Sequence, residues 1–246
     1  MTGRRTALSV LLIVLFPGVF GCEIERREET FEIREVHGTI DRLTVRTGAG
    51  NIEVFAEETD VITVDTIIYG EETEIDQSIR GSELVLETNC DHQSWHCSVD
   101  YRISVPGYLA ARLDSGSGDL FVAGIAGDAL GETGSGNVEV HCLLSEVVDI
   151  ETGSGEVRGT GLLSESVSVS SGSGDIDLDF VGAPEAVLAD TGSGDIDLEV
   201  PAGDGYAIET DTGSGDVRIT GVQCDNSAAR TLRATSGSGD ITITGR

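Results

Sequence analysis

A Gly-x-Gly step followed by an acidic or amide residue recurs eight times in this chain, beginning at Gly48, Gly116, Gly134, Gly153, Gly172, Gly192, Gly213 and Gly237. Ahead of most steps alternate positions are apolar and the last is a hydroxyl, as in Leu43, Val45 and Thr47, in Val148, Ile150 and Thr152, and in Val167, Val169 and Ser171. Beyond the step the alternation resumes in phase, as Ile52 and Val54, Leu120 and Val122, Val138 and Val140, Ile176 and Leu178, Ile196 and Leu198, Val217 and Ile219, and Ile241 and Ile243. A period of two on both sides of a tight corner is strand, turn, strand.

From Gly116 onward the steps are spaced by 18, 19, 19, 20, 21 and 24 residues, the length of one solenoid coil and too short for an independent domain. A single coil cannot bury its apolar face. Stacked coils, with equivalent strands paired at roughly 4.8 Å, build a continuous narrow core. The glycines suit such a stack, because a corner repeated in register leaves no room for β-carbons between layers. The sequence therefore predicts an all-β, single-stranded β-solenoid, β-helix-like, with coils of about 18–24 residues. Residues 38–246 are expected to form it, with irregular coils of longer turns over 56–110, where the Gly-x-Gly signature lapses, and regular coils over 111–246. The last apolar strand is followed only by Gly245 and Arg246, so the C-terminal coil is expected to be the open end of the stack, docked on a partner or on a second copy.

Acidic residues number 44 against fifteen basic ones, all arginine, giving a formal net charge of -29 and a pI of about 4.1. So acidic a surface repels phosphate backbones and anionic lipid, which argues against nucleic-acid binding and electrostatic membrane attachment. Without lysine, lysine chemistry is excluded. An aromatic content of 4% fits a thin Val/Ile core better than one built on large rings.

Residues 1–21 have the form of an export signal: Arg4 and Arg5, an apolar run from Ala7 to Phe16, then Val19-Phe20-Gly21-Cys22. The run is too short to span a bilayer as a stable helix. The site resembles the lipobox of bacterial lipoproteins, which implies that Cys22 becomes a lipidated N-terminus; an ordinary secretory signal ending near a cysteine is the alternative. Two or more acyl chains on Cys22 suffice for stable anchoring where one does not. With Glu23 next, the resemblance implies the outer membrane if the cell is Gram-negative. Residues 22–37, rich in Glu and Arg, are expected to be a tether or lead-in strand.

The stretch from Tyr101 to Gly124, YRISVPGYLAARLDSGSGDLFVAG, together with the later TGSGDIDLEV and TGSGDVRIT, resembles the bacterial putative-adhesin family of unknown function. The resemblance runs from roughly Thr39 to the end of the chain and implies a β-solenoid; it brings no catalytic residues, and fold does not fix function.

The residues after the Gly-x-Gly steps, Asn51, Asp119, Asn137, Glu156, Asp175, Asp195, Asp216 and Asp240, are expected to form one column. Adjacent carboxylates about 4.8 Å apart repel by roughly 0.9 kcal/mol in water, so the column must be hydrated, hydrogen-bonded or cation-bound. Turn N–H groups are the expected donors to these side chains. Ca2+ between coils at Asp175, Asp195, Asp216 and Asp240 is the alternative, although calcium-binding nonapeptide rolls use a different spacing. A second acidic set, Asp177, Asp179, Asp197 and Glu199, is expected to face outward beside it. Asp190-Thr191-Gly192-Ser193 and Asp211-Thr212-Gly213-Ser214 spell the aspartic-protease motif, but their Asp positions alternate with Arg46, Ser170 and Thr235 among the copies, as a solvent-facing site does.

Cys90, His92, His96 and Cys97 lie within eight residues. In an exported protein a Cys90–Cys97 disulfide closing a short loop is the expected state, with a zinc or copper site as the alternative. Trp95 at the loop's tip is a candidate contact for sugar or partner, or a lid on the core. Cys142 and Cys224 are placed too far apart to pair.

These features together read as a non-catalytic, lipid-anchored cell-envelope solenoid, an adhesin or surface-binding protein for a protein or polysaccharide, needing no cofactor. Two rival readings are a periplasmic scaffold or sensor partner in envelope-stress signalling and a carbohydrate-active β-helix enzyme using exposed carboxylates.

Overall fold

The computed structural model describes residues 29–69, 73–90, 97–203 and 205–246, and every regular element among them is a strand. In chain order the first seven are β1 (Glu29–Val36), β2 (Arg42–Thr47), β3 (Ile52–Glu57), β4 (Ile62–Tyr69), β5 (Thr73–Arg80), β6 (Glu83–Cys90) and β7 (Ser98–Pro106). Regular coils follow as strand pairs: β8 (Ala110–Ser115) and β9 (Leu120–Ala123), β10 (Ala129–Thr133) and β11 (Val138–His141), β12 (Val147–Thr152) and β13 (Val157–Leu162), β14 (Ser166–Ser171) and β15 (Ile176–Phe180), β16 (Ala186–Thr191) and β17 (Ile196–Val200). The chain closes with β18 (Gly205–Thr212) and β19 (Val217–Thr220), the short β20 (Gln223–Cys224), and β21 (Thr231–Ser236) with β22 (Ile241–Gly245).

Each coil gives one strand to each of two 11-stranded sheets, and the Gly-x-Gly corner carries the chain from one sheet to the other. The first sheet runs β1-β4-β7-β3-β9-β11-β13-β15-β17-β22-β19 and the second β20-β18-β21-β16-β14-β12-β10-β8-β2-β6-β5. Regular coils pair parallel and in register, as in Val138↔Val157 and Ile150↔Val169. The inward phase is the one the alternation marks: Leu43, Val45, Ile52, Val54, Leu120, Val138, Val140, Ile196 and Leu198 are all buried in one continuous core. The β-solenoid predicted from the repeat is the fold.

Corner glycines are required by contact between layers. A β-carbon on Gly155 would run into the carbonyl oxygen of Gly136, and one on Gly174 into that of Gly155. Only glycine lets successive corners approach this closely.

Stacking order departs from chain order at both ends. Coil β2/β3 lies between β7 and β9 in one sheet and between β6 and β8 in the other. Coil β21/β22 is inserted between β16/β17 and β18/β19. The expectation that the C-terminal coil is the open end is thereby corrected: Ile241 and Ile243 are fully buried, whereas Val217 and Ile219 of β19 are 44% and 37% exposed. The inward positions explain the choice. At the third position before the glycine β21 carries Ala234, but β18 carries Thr210, a hydroxyl that is half-buried at the end and would be desolvated in the middle. Arg246 pins the chain end to the first sheet, reaching Asp179 Oδ1 at 2.6 Å, Glu199 Oε1 at 3.4 Å and the Phe180 carbonyl at 3.0 Å.

The irregular region is also more than coils with longer turns. β4 pairs antiparallel with both β1 and β7, and β5 antiparallel with β6, so these strands cap the N-terminal end of the stack. Residues 29–36 are accordingly a strand of the cap. Arg34 donates to Gln77 Oε1 at 3.4 Å and pairs with Glu32 at 2.5 Å, linking β1 to β5 across the two sheets. Tyr101 is buried beneath and shares a hydrogen bond with Thr88 Oγ1 at 2.7 Å; burial pushes its phenol above the usual range.

Candidate functional site

Two side-chain ladders follow from the corner. In every copy but the first, where Thr47 donates to Ala49 of its own corner, the hydroxyl before the step donates to the carbonyl of the second glycine in the adjoining coil: Thr133 to Gly118 at 3.0 Å, Thr152 to Gly136 at 3.0 Å, Thr191 to Gly174 at 2.9 Å and Ser236 to Gly194 at 2.9 Å. These hydroxyls are buried, so each needs the bond it makes.

The acidic column makes the second ladder. The backbone N–H of Asp119 donates to Asn51 Oδ1 at 2.9 Å, that of Asn137 to Asp119 at 2.7 Å, that of Asp195 to Asp175 at 2.8 Å, that of Asp240 to Asp195 at 2.7 Å and that of Asp216 to Asp240 at 2.8 Å. The expected donors were turn N–H groups, and they are supplied by the neighbouring coil. Asp175, Asp195, Asp240 and Asp216 stand consecutively in that order. Glu156 gives its N–H to Asn137 Oδ1 at 2.9 Å, but its side chain, one methylene longer, leaves the column and pairs with Arg158. Among the described residues no group of three or more His, Cys, Asp or Glu is arranged to hold a metal ion.

Outside the first sheet, Asp177 and Asp197 are neighbours in register, and Arg158 approaches Asp177 at 3.7 Å. Partial burial, then Asp177 and Asp195, raise the Asp197 carboxyl above the ordinary range. Outside the second sheet Asp114, Glu132 and Glu151 follow one another in register and, with Arg112, Leu130 and Asp149, line a shallow open groove. Asp190 and Asp211 both flank Thr235, so the two motif aspartates sit two strands apart on an outer face and share no proton.

A further cluster was not singled out from the sequence. Phe55, Phe121 and His141 stack along the first sheet's outer face, with centroids 5.0 and 5.1 Å apart, and the Arg102 guanidinium lies 4.7 Å over Phe55. His141 bonds Thr160 Oγ1 at 2.5 Å. The signal was available: all three occupy the outward phase, where, Ala123 aside, other copies carry charged or hydroxyl residues. Their ring faces cover one another, so the cluster reads as a ladder that stiffens adjoining coils.

Cys97 is disulfide-bonded, and Thr73 Oγ1 lies 3.3 Å from its sulfur. Cys142 and Cys224 are free and exposed, as expected of residues too far apart to pair. The lipidation candidate Cys22 and the loop residues His92, Trp95 and His96 lie outside the described residues, as does the side chain of Cys90.

The family model described as Toastrack DUF4097 matches residues 16–244. Among solved structures, a putative adhesin from Bacteroides fragilis is 16% identical, covers 88% of this chain and 97% of its own, and superposes with a TM-score of 0.50. A putative adhesin from Parabacteroides distasonis is 10% identical, with coverage of 87% and 96% and a TM-score of 0.49. A putative cell adhesion protein from Clostridium sporogenes is 15% identical, with coverage of 90% and 100% and a TM-score of 0.41. At these identities the likeness concerns the fold. No curated protein matches the chain.

Proposed function

The chain belongs to the Toastrack DUF4097 family, and from that membership we propose a non-catalytic protein of the cell envelope, lipid-anchored through Cys22, that serves as an adhesin or surface-binding rod. The observation that carries this reading is the commitment of the corner carboxylates to the backbone of the next coil. The densest acidic feature of the chain thereby holds the scaffold, and what remains for recognition is flat, charged outer faces and a free end. Such surfaces suit contact with a macromolecule. The adhesin name of the Bacteroides fragilis structure supports the adhesive reading, and the export signal with its lipobox supports the location. A Cys90–Cys97 disulfide closing the loop belongs to the same proposal, since Cys97 is bonded and the loop would face an oxidising compartment.

Protease shaving of intact cells tests the reading. Digestion without permeabilisation is the result expected of a surface-displayed rod. Protection until the outer membrane is opened would instead favour the periplasmic scaffold. Replacement of Cys22 by serine should abolish labelling by radioactive palmitate; continued labelling would remove the lipid anchor at that residue.

A further inference from the structure

The end of the stack formed by β18 and β19 is unfinished in both sheets. Among the described residues no strand lies beyond β19, and β20 covers β18 only at Gly205 and Tyr206, which leaves the edge of Ala207–Thr212 open. Val217 and Ile219, in a phase that is buried in every interior coil, are exposed here. Asp216 ends the corner column, giving its N–H to Asp240 with no coil beyond it.

We propose that this end is a homophilic interface, in which β18 of each of two copies pairs antiparallel with β19 of the other. Charge selects this arrangement. In the outward phase β18 carries Glu209 and Asp211, and β19 carries Arg218, all exposed. A two-fold axis along the strands moves β19 of the second copy beside β18. The pair is antiparallel because the chain reverses between the two strands of a coil. Each junction then sets the second copy's Arg218 among Glu209 and Asp211, while Ile208 and Thr210 meet the second copy's Val217 and Ile219. Opposite charges across a strand pair stabilise it and like charges do not. The alternative two-fold, normal to the sheets, confronts β18 with β18 and its two acids with themselves. Head-to-tail stacking fails for a different reason: the other end of the stack is formed by β1 and β5, strands that no Gly-x-Gly corner joins. The interface is isologous, each copy giving an acidic and a basic edge.

The geometry extends the adhesive reading and, in this respect only, rests on it. β1 and β19 lie at opposite ends of an 11-stranded sheet, about 48 Å apart at roughly 4.8 Å per strand. Two copies joined at β18/β19 hold their N-terminal ends at the two extremes, so anchored copies bridge facing membranes.

Sedimentation velocity of the full chain in detergent tests the interface without reference to anchoring. A dimer is expected, weakened roughly tenfold or more by Arg218→Glu and restored by Asp211→Arg with Arg218→Glu, Asp211 being chosen because it faces Thr235 within its own copy whereas Glu209 faces Arg233. Both positions are exposed, and unchanged melting will show that folding is intact. A monomer at roughly 100 μM, a dimer indifferent to Arg218→Glu, or failure of the double reversal to restore it overturns the interface. Phosphatidylcholine vesicles carrying the full chain test the bridge: they should cluster with the native chain and the double reversal, and not with Arg218→Glu. A detergent dimer on vesicles that stay dispersed overturns bridging, and flotation of the chain with its vesicles separates that result from loss of the anchor.

Discussion

At the scale of single residues the corner is where the sequence is least free. Gly155→Ala must push its new β-carbon against the carbonyl of Gly136, so we expect a loss of about 2–3 kcal/mol in urea unfolding. Gly48 and Gly153 are both the first glycine of their steps, but a β-carbon on Gly153 would meet the carbonyl of Gly134 at 2.6 Å whereas nothing lies near one on Gly48; Gly48→Ala should stay within about 1 kcal/mol of the native chain. The column gives a sharper contrast. Asp195→Asn keeps the acceptor that Asp240 N–H uses, as Asn51 and Asn137 do naturally, and removes one charge from a repelling row, so stability should hold or rise. Asp195→Ala orphans that N–H and should cost about 1 kcal/mol. Equal losses from both would show that charge, and hence a bound cation, mattered more than the hydrogen bond. Asp197 adds a pH dependence. Its folded carboxyl is raised by partial burial and by Asp177 and Asp195, so the folded state holds this proton more tightly than the unfolded state does. The favourable contribution is present below the ordinary aspartate range and lost as pH rises through the raised value. Asp197→Asn should therefore stabilise the chain at neutral pH, with the gain fading in acid; a gain independent of pH would contradict the assignment.

At the scale of elements, the repeat made the coils legible and left their order hidden. Leu43, Val45, Ile52 and Val54 could be assigned to a buried phase because a period of two has only one alternative. Order is harder, since all Gly-x-Gly corners are mutually compatible and a coil can stack on any other. The discriminating residue, Thr210, is a difference of one hydroxyl among many apolar positions. The N-terminal cap was obscured for a related reason: VITVDTIIYG reads as a strand, but alternation does not say whether its neighbour is parallel or antiparallel. The aromatic row was missed because each ring is ordinary in its own strand and gains meaning only when Phe55, Phe121 and His141 come side by side. Amide exchange tests the order directly. Ile241 and Ile243, in the last strand of the chain, should be among the slowest amides, and Val217 and Ile219 markedly faster. The reverse ranking would restore a sequential stack.

For the molecule as a whole the decisive quantity is a formal charge of -29 spread over narrow, ladder-like faces. Stacking in register places like charges opposite one another without choice: Asp114, Glu132 and Glu151 on one face, Asp177 and Asp197 on the other. Unfolding separates them, so self-repulsion favours the unfolded chain and screening should favour the fold. Because these charges are exposed, mobile ions reach them, and the Debye length falls from about 30 Å at 0.01 M to about 8 Å at 0.15 M salt. Raising sodium chloride across that range should lift the melting temperature by several degrees, on the scale of about 2–4 °C per kcal/mol for a chain of this size. Calcium at equal ionic strength should add little, because the oxygen that would lead in binding it, Oδ1 of Asp175, Asp195 or Asp240, already accepts a backbone hydrogen bond. A large rise at micromolar calcium, reversed by a chelator and absent in the Asp195→Asn chain, would show that cations and not the backbone hold the column. The contrast between the two salts separates a general acidic surface, which needs only ionic strength, from a built site, which needs one ion.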